Sequence, residues 1–168
     1  TTRKPRKGET NSAQYFFISE EDFLHKKNSN FFLEYAEVHG NWYGTSVDSV
    51  QSKLNDGINL ILEIDVQGFR QINDLSFSCE SIFILPPSIY SLEDRIKSRG
   101  DEDIEAIDLR LKNAKEELTF ANEYEHLIIN DSFDVAAQEL YKIIAKEKPL
   151  NKENNEELQQ FLAQLLSY

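Results

Sequence analysis

Short hydrophobic runs alternate with amphipathic stretches along most of the chain. Three runs, at positions 58–64, 81–85 and 127–130, predict buried strands, and the first is apolar enough to be covered on both faces. The stretches between the runs carry apolar residues at helical spacing. Buried strands that alternate with helices predict an α/β layered fold with a largely parallel core sheet.

Helical periodicity and capping residues locate the helices. The spacing predicts helices over about 47–55, 104–121 and 135–146. Ser19 precedes three acidic residues and is predicted to cap a further helix. Ser91 has an aspartate three residues later, which is the pattern of a capping box, so Ser91 is predicted to cap the helix after the second strand.

Residues 15–45 interrupt the alternation of strands and helices. They contain short extended pieces at 15–18 and 31–38 and a glycine-flanked turn at 40–45. The segment is therefore predicted to be a substrate-binding subdomain inserted into the layered core.

Composition limits the classes of partner. The 168 residues suit one domain with a sizeable core, and no apolar run reaches the length of a membrane span or a signal peptide. With 18 Lys and Arg against 30 Asp and Glu the net charge is −12, which disfavours nucleic acid as a partner. Cys79 is the single cysteine, so no intrachain disulfide can form. We expect a cytoplasmic enzyme or binding protein that contacts neither nucleic acid nor membrane.

A basic segment near the start of this acidic chain predicts a phosphate site. Arg3 and Arg6 lie three positions apart in a stretch that contains proline and glycine, and Tyr15 follows. Two guanidinium groups and a phenolic hydroxyl form a suitable set of donors for a phosphate group. The segment therefore favours a small phosphorylated ligand, and the alternative is a solvated basic tail.

A second group of arginines lies on the predicted helices after the second strand. Arg95 and Arg99 share one helix face, where like charges repel and imply an anionic partner, and Arg110 lies on the next helix. This arrangement is typical of a mobile lid over a polyphosphate. The alternative is salt bridges with the neighbouring acidic residues of 94–102.

Polar side chains also follow two of the predicted strands. Asp65 and Asn130 lie at carboxyl ends, where parallel sheets bind ligands, and Glu63 is predicted to point to the same face as Asp65. The pair Glu63 and Asp65 predicts a ligand-binding role. The alternative is that the pair caps the following helix.

Six motifs in order carry a family resemblance. They are Thr1-Thr2-Arg3-x-Pro5-Arg6-x-Gly8-Glu9, Gly40-Asn41-Trp42-Tyr43-Gly44-Thr45, Ile61-Leu62-Glu63-Ile64-Asp65-Val66-Gln67-Gly68, Ile82-Phe83-Ile84-Leu85-Pro86-Pro87-Ser88, Arg99-Gly100 and Ile129-Asn130-Asp131. Together they resemble guanylate kinase, an enzyme family of purine nucleotide metabolism that transfers phosphate from ATP to GMP. The resemblance covers residues 1–148, and 149–168 resemble the C-terminal helix of the bacterial forms.

The resemblance implies a P-loop nucleoside-monophosphate-kinase-like three-layer fold with a parallel core sheet. It implies a GMP-binding subdomain at about 1–45, a core at 46–88 and 122–148, and a helical lid at about 89–121. An amphipathic C-terminal helix follows at 149–168.

The resemblance also assigns roles to individual residues. Those implied to contact GMP are Arg3, Arg6, Tyr15 and Tyr43 at the phosphate, Glu34, Thr45 and Asp65 at the guanine, and Glu9 in the same loop. Those implied to act on ATP are the lid arginines Arg95, Arg99 and Arg110, which carry the catalytic role, with Asn130 near the nucleoside. Mg²⁺ is implied to enter with ATP, and no residue of the chain is assigned as its ligand.

The chemistry of guanine agrees with these roles. Guanine presents two donors, N1–H and the 2-amino group, and one carboxylate such as Glu34 can accept from both. A threonine hydroxyl such as that of Thr45 can donate to O6. Adenine presents the reverse pattern and would leave the carboxylate unpaired in a desolvated pocket.

One departure from the family pattern concerns the ATP site. The motif G-x-x-x-x-G-K-[ST], which cradles phosphates in this family, does not occur in the 168 residues, and methionine is absent even from position 1. We therefore expect that an upstream strand, P-loop and helix are missing here, and that these 168 residues alone bind GMP weakly and do not phosphorylate it. The missing motif also raises an alternative, a catalytically inert guanylate-kinase-like protein-interaction domain.

The last residues form a narrow apolar stripe. Its members lie at helical spacing and are Leu158, Phe161, Leu162, Leu165 and Leu166. A helix this short needs a surface to pack on. We expect it to dock on a second copy and form a homo-oligomer, and the alternative is that it covers its own domain.

Overall fold

The computed structural model describes residues 1–12, 15–75, 79–98, 104–146 and 156–167. Internal contacts divide the chain into two compact units, Thr1–Ser78 and Cys79–Tyr168, which are described separately. The division of the chain into a GMP-binding subdomain, core and lid stays a prediction. Arg99 and the helix end predicted at Gly100 lie outside the described residues.

The first unit is built on an antiparallel hairpin with three helices. Its elements are α1 (Glu20–Asn28), β1 (Phe32–Val38), β2 (Asn41–Ser46), α2 (Val47–Asn55) and α3 (Val66–Asp74). His39 and Gly40 connect the strands, with φ values of 50° and 71°. Positive φ at both turn residues matches the right-handed twist of the two strands, so this short loop fixes the register of the hairpin.

Aromatic stacking forms one part of the core of the first unit. Phe23 on α1 is fully buried, and its ring lies 4.4 Å from that of Phe32 and 5.7 Å from that of Trp42. Ser19 caps α1 by accepting a hydrogen bond from the Asp22 backbone N–H, so the predicted cap is confirmed. The helix therefore begins where its cap is placed and buries its aromatic residue against the hairpin.

Two strand predictions in this unit are wrong. Residues 58–64 form no strand, and Ile58 and Ile61 are 46% and 72% exposed. Residues 15–18 form no strand either, and an isolated bridge joins Asn11 to Tyr15. Apolar composition predicts burial, but a strand also requires a neighbouring backbone to pair with. Within the described part of the chain neither segment pairs into a named sheet.

The second unit places helices around a pair of parallel strands. Its elements are β3 (Ile82–Leu85), α4 (Ile89–Lys97), α5 (Ile104–Leu118), a short 3₁₀ turn (Ala121–Glu123), β4 (His126–Ile129), α6 (Phe133–Ile144) and α7 (Glu156–Leu166). The strands pair in parallel from Ile82 opposite His126 to Leu85 opposite Ile129. This pairing confirms the predicted parallel arrangement, and helices separate the two strands in sequence.

The cap predicted for α4 at Ser91 is wrong. The helix begins three residues earlier, because Ser88 adopts extended backbone after the two prolines and its hydroxyl accepts a hydrogen bond from the Ser91 backbone N–H at 3.0 Å. Both serines fit the local pattern of a cap, and the end of the preceding rigid Pro-Pro segment determines which one is used.

The apolar stripe of α7 packs within its own unit. Leu158, Leu162 and Leu165 are 7%, 2% and 5% exposed and join a cluster with residues of β3, α5, the 3₁₀ turn and β4. Leu166 is 43% exposed. Three of the five stripe positions are therefore buried by this chain and a fourth, Phe161, packs against the same cluster, which matches the alternative that the helix covers its own domain. No described helix is both long and apolar enough to cross a membrane.

Candidate functional site

Hydrogen bonds made by the backbone and hydroxyl groups of Thr1 and Thr2 join the basic segment to β2. The Thr2 N–H donates to the Trp42 carbonyl at 3.0 Å, and the Trp42 N–H donates to the Thr2 hydroxyl at 2.9 Å. The Thr1 hydroxyl donates to the same carbonyl at 2.8 Å. These contacts bring Arg3 next to the hairpin, so the first residues are not a solvated tail.

Arg3 forms a two-pronged ion pair with Glu9. Both terminal guanidinium nitrogens donate to the Glu9 carboxylate at 3.0 Å, and the two side chains are 14% and 18% exposed. The Arg6 backbone N–H donates to the same carboxylate at 2.6 Å. The hydrogen bond from Arg3, followed by that from the Arg6 backbone, lowers the pKa of Glu9. Glu9 therefore closes the loop and holds the Arg3 guanidinium in one orientation.

Aromatic residues complete the surroundings of Arg3. The guanidinium carbon lies 5.4 Å from the centre of the Tyr15 ring, and the Tyr15 and Tyr43 rings are 5.9 Å apart. The hydrogen bond with Glu9 is the main cause that raises the pKa of Arg3, and Tyr43 contributes to the same shift. The structure thus brings together Arg3, Glu9, Tyr15 and Tyr43. Arg6 is exposed beside them.

A buried carboxylate lies further along the hairpin. Glu34 is 5% exposed, lies opposite Thr45 in the strand pair, and accepts a hydrogen bond from the Thr45 hydroxyl at 2.5 Å. Burial is the main cause that raises the pKa of Glu34, and the charge of Asp65 raises it further, while the Thr45 hydroxyl lowers it. A buried carboxylate with a raised pKa is typical of a binding site in which the ligand provides hydrogen-bond donors.

An irregularity in β1 directs Glu34 toward this position. The strand register shifts between Phe32 and Glu34, as in a β-bulge. Gly44 on β2 pairs with Tyr35, and a Cβ atom at Gly44 would meet the Phe32 ring at 2.8 Å and the Glu34 carbonyl at 3.1 Å. The glycine therefore permits the close approach of the bulged strand.

Asp65 caps α3. One carboxylate oxygen accepts from the Gly68 backbone N–H at 2.9 Å and the other from the Gln67 side chain at 3.1 Å. The pair Glu63 and Asp65 was predicted either to bind a ligand or to cap the following helix, and the structure supports capping for Asp65. Glu63 is exposed and lies before the helix, outside any strand. Because its charge acts on Glu34, Asp65 still belongs to the surroundings of that carboxylate.

In the second unit Arg95 and Asn130 lie together. Arg95 on α4 donates to the Asn130 carbonyl at 2.8 Å, just beyond the end of β4. Arg110 lies on α5, which packs against α4, and is partly buried. Asn130 therefore follows the carboxyl end of a parallel strand as predicted, with one predicted lid arginine bound to it.

A possible group of metal ligands lies at the other end of the same strands. Among the described residues, Glu80, Glu125 and His126 bring ligand atoms within 4.8 Å of one another. His126 is 8% exposed and its Nε2 lies 2.9 Å from a Glu80 oxygen, while its Nδ1 is buried without a partner. Histidines that bind a metal usually donate their other ring N–H to a partner that orients the ring, and Nδ1 has none, so the 2.9 Å contact is better explained as a hydrogen bond.

Sequence reasoning missed Gln71, whose side chain binds the backbone of β1. Its side-chain oxygen accepts from the Tyr35 N–H at 3.2 Å, and its amide nitrogen donates to the Tyr35 carbonyl at 2.7 Å. The residue lies between the buried Gly68 and Ile72 on the inner face of α3. A polar residue on the apolar face of an amphipathic helix was the signal that was available.

Comparison with known proteins identifies the family. A family model described as guanylate kinase matches residues 1–147. This chain belongs to the guanylate kinase family. The resemblance read from the six motifs is confirmed, as are the fold class and the class of enzyme, which transfers phosphate from ATP to GMP.

Individual guanylate kinases match over most of the chain. The guanylate kinase of Hahella chejuensis is 47% identical over 148 residues, which cover 88% of this chain and 71% of the relative. The guanylate kinase of Mannheimia succiniciproducens is 44% identical over 168 residues, which cover 99% and 81%. The crystal structure of guanylate kinase from Anaplasma phagocytophilum superposes with a TM-score of 0.74 at 29% identity, covering 96% of this chain and 79% of that one.

Proposed function

We propose that the protein transfers the γ-phosphate of ATP to GMP, giving ADP and GDP, and that its first unit binds GMP. The observation that carries the proposal is the buried Glu34 carboxylate, which is hydrogen-bonded to Thr45 and has a raised pKa. An ordinary soluble domain does not bury a carboxylate without a charged partner. The proposed activity follows from family membership, and the Glu34 carboxylate is the group proposed to distinguish guanine from adenine.

In the proposed complex Glu34 accepts hydrogen bonds from N1–H and the 2-amino group of guanine. These donors favour the ionised carboxylate and offset its cost of burial. Thr45 lies within hydrogen-bond distance of the same carboxylate and can turn its hydroxyl toward O6. Asp65 contributes negative charge nearby and is held by its capping hydrogen bonds.

The phosphate of GMP is proposed to bind Arg3, Arg6, Tyr15 and Tyr43. Glu9 binds the two terminal nitrogens of Arg3, and the Nε edge of a guanidinium offers a second pair of parallel N–H groups. A phosphate on that edge would keep the Glu9 pair intact. Glu9 then serves to orient Arg3 before the ligand arrives, which lowers the entropic cost of binding.

Donor-side roles are proposed for Arg95, Arg99, Arg110 and Asn130. Arginines neutralise the charge that develops on the transferred phosphoryl group, and in-line transfer needs positioning without a covalent intermediate. Mg²⁺ that enters with ATP would supply further charge neutralisation, and no described residue is assigned as its ligand. The carboxylates of Glu80 and Glu125 lie at the opposite end of the β3–β4 pair from Asn130 and do not fit this ion.

The motif G-x-x-x-x-G-K-[ST] does not occur in the 168 residues, so we expect these residues alone to bind GMP weakly and not to phosphorylate it. An inert interaction domain would share this behaviour toward ATP. Such a domain has no need of a buried carboxylate paired with a hydroxyl for guanine, so Glu34 and Thr45 favour the kinase.

Two further expectations are a cytoplasmic location and a homo-oligomer. Because Leu158, Leu162 and Leu165 of α7 are already buried within the chain, an oligomer would need the exposed side of this helix or another surface.

Replacement of Glu34 by glutamine tests the proposal. An amide offers one acceptor atom to two donors and turns its NH₂ toward a donor, so GMP should bind at least about tenfold more weakly. Discrimination against AMP should fall with it, because adenine no longer faces an unpaired carboxylate. Calorimetric titration with GMP and AMP measures both changes. Glu37→Gln, on the exposed side of the same strand, is the matched control.

A further inference from the structure

We propose that Gln71, together with Gly68, is a positioning residue that fixes the Glu34 carboxylate for guanine. The inference rests on the proposed function, because it takes Glu34 as the guanine-recognition residue. It adds a specificity role for one face of α3, which touches Glu34 and the strand that carries it.

Gln71 holds the backbone of β1 at two points. Its Oε1 accepts from the Tyr35 N–H at 3.2 Å, and its Nε2 donates to the Tyr35 carbonyl at 2.7 Å and to the Gln67 carbonyl at 3.1 Å. Both amide hydrogens and the amide oxygen are therefore used. The reverse orientation of the amide would set N–H against N–H and lose all three contacts.

This amide takes the place of a neighbouring strand. Tyr35 exchanges an N–H and a carbonyl with Gln71 as it would with a paired peptide group in a sheet. In the described residues β1 pairs with β2 on one edge only. The side chain of Gln71 therefore satisfies the outer edge of β1 at the position immediately after Glu34, and Glu34 itself follows the register shift between Phe32 and Glu34.

Gly68 provides the space for the carboxylate itself. A Cβ atom at this position would lie 2.6 Å from Oε2 of Glu34 and 3.2 Å from the Ile64 side chain. The other carboxylate oxygen, Oε1, is bound by the Thr45 hydroxyl. Glu34 is thus confined by Thr45 on one oxygen, by the bare backbone of α3 at the other, and by Gln71 through the adjacent peptide.

Positioning affects specificity more than overall binding. Glu34 must align both oxygens with two guanine donors, whereas the phosphate contacts depend on Arg3 and its neighbours. GMP offers two donors to the aligned pair of oxygens and IMP offers N1–H alone, so misalignment of the carboxylate costs GMP more than IMP. We therefore expect loss of Gln71 to reduce the preference for GMP over IMP, which lacks that amino group.

The experiment is calorimetric titration of the 168-residue protein with GMP and with IMP. Gln71→Leu removes the amide at nearly constant volume, and Gln71→Asn keeps the amide but is too short to reach both groups of Tyr35. Both variants should reduce the preference for GMP over IMP by about tenfold. Gln51→Leu is the matched control, since Gln51 is an exposed helix glutamine that bonds to Asn55.

A second arm distinguishes positioning from general support of the fold. In a Glu34→Gln background, Gln71→Leu should change the GMP-to-IMP ratio by less than about twofold, because Gln71 acts through Glu34. If both Gln71 variants lose affinity for GMP and for IMP equally, the inference is overturned, and Gln71 then only supports the fold. If the wild-type protein itself shows no preference for GMP over IMP, the proposed function fails and the inference fails with it.

Discussion

At the residue scale the candidate site depends on how the hairpin and α3 position the Glu34 carboxylate. The pairing of Glu34 with Thr45 follows from the strand register, and the family resemblance implied both residues as guanine contacts. The capping role of Asp65 was one of two readings that the local sequence allowed. Gln71 was missed because its partner Tyr35 is 36 positions away, and no local pattern encodes that contact.

The raised pKa of Glu34 predicts a pH dependence of guanosine binding. Guanine donors require the carboxylate, and in the free protein burial shifts its protonation to higher pH than in an ordinary glutamate. Affinity should be constant above the raised pKa and fall as the pH drops through it, with proton release on binding near that pH. Guanosine avoids the titration of the GMP phosphate. The Glu34→Gln variant should show a flat profile, and a wild-type profile that is equally flat contradicts the prediction.

Arg3 predicts a difference between a nucleotide and its nucleoside. Arg3→Ala removes a guanidinium held by Glu9 beside Tyr15 and Tyr43, so GMP should bind about tenfold more weakly or worse. Guanosine should bind nearly as before, because it has no phosphate. Lys4→Ala is the neighbouring exposed control. A parallel loss of GMP and guanosine binding would place Arg3 outside the phosphate site.

At the element scale local signals located the helices better than the strands. Ser19 and the helical periodicity of α2 and α5 were read correctly because capping and amphipathicity are local. The strand predicted at 58–64 failed because strand formation depends on a partner distant in sequence. The choice between Ser88 and Ser91 depended on the geometry of the prolines before them, which a pattern of polar residues does not contain.

The packing of α7 predicts a stability difference between two leucines on one helix. Leu162 is 2% exposed in the core cluster of the second unit, so Leu162→Ala should lower the free energy of unfolding by about 2–5 kcal/mol. Leu166 is 43% exposed, and Leu166→Ala should change it by less than about 1 kcal/mol. Urea unfolding followed by circular dichroism measures both. Similar small effects would mean that the helix does not pack on its own unit in solution.

At the scale of the whole molecule the chain consists of two units with different predicted tasks. The first contains every residue assigned to GMP, and the second contains the residues assigned to ATP. The order of the six motifs predicted the family and the fold class, since such an order is specific even when each motif is common. How the residues act together on two substrates is beyond what a sequence pattern encodes, and it stays a proposal.

Titration of the 168-residue protein with GMP, and separately with AMP, tests the central claim most directly. Both nucleotides carry the same phosphate, so any difference between them reports the base that the buried carboxylate contacts. The account predicts that GMP binds at least about tenfold more tightly than AMP, since adenine leaves Glu34 and Thr45 with mismatched partners. Equal binding of the two nucleotides, or tighter binding of AMP, would contradict the assignment of this site to GMP.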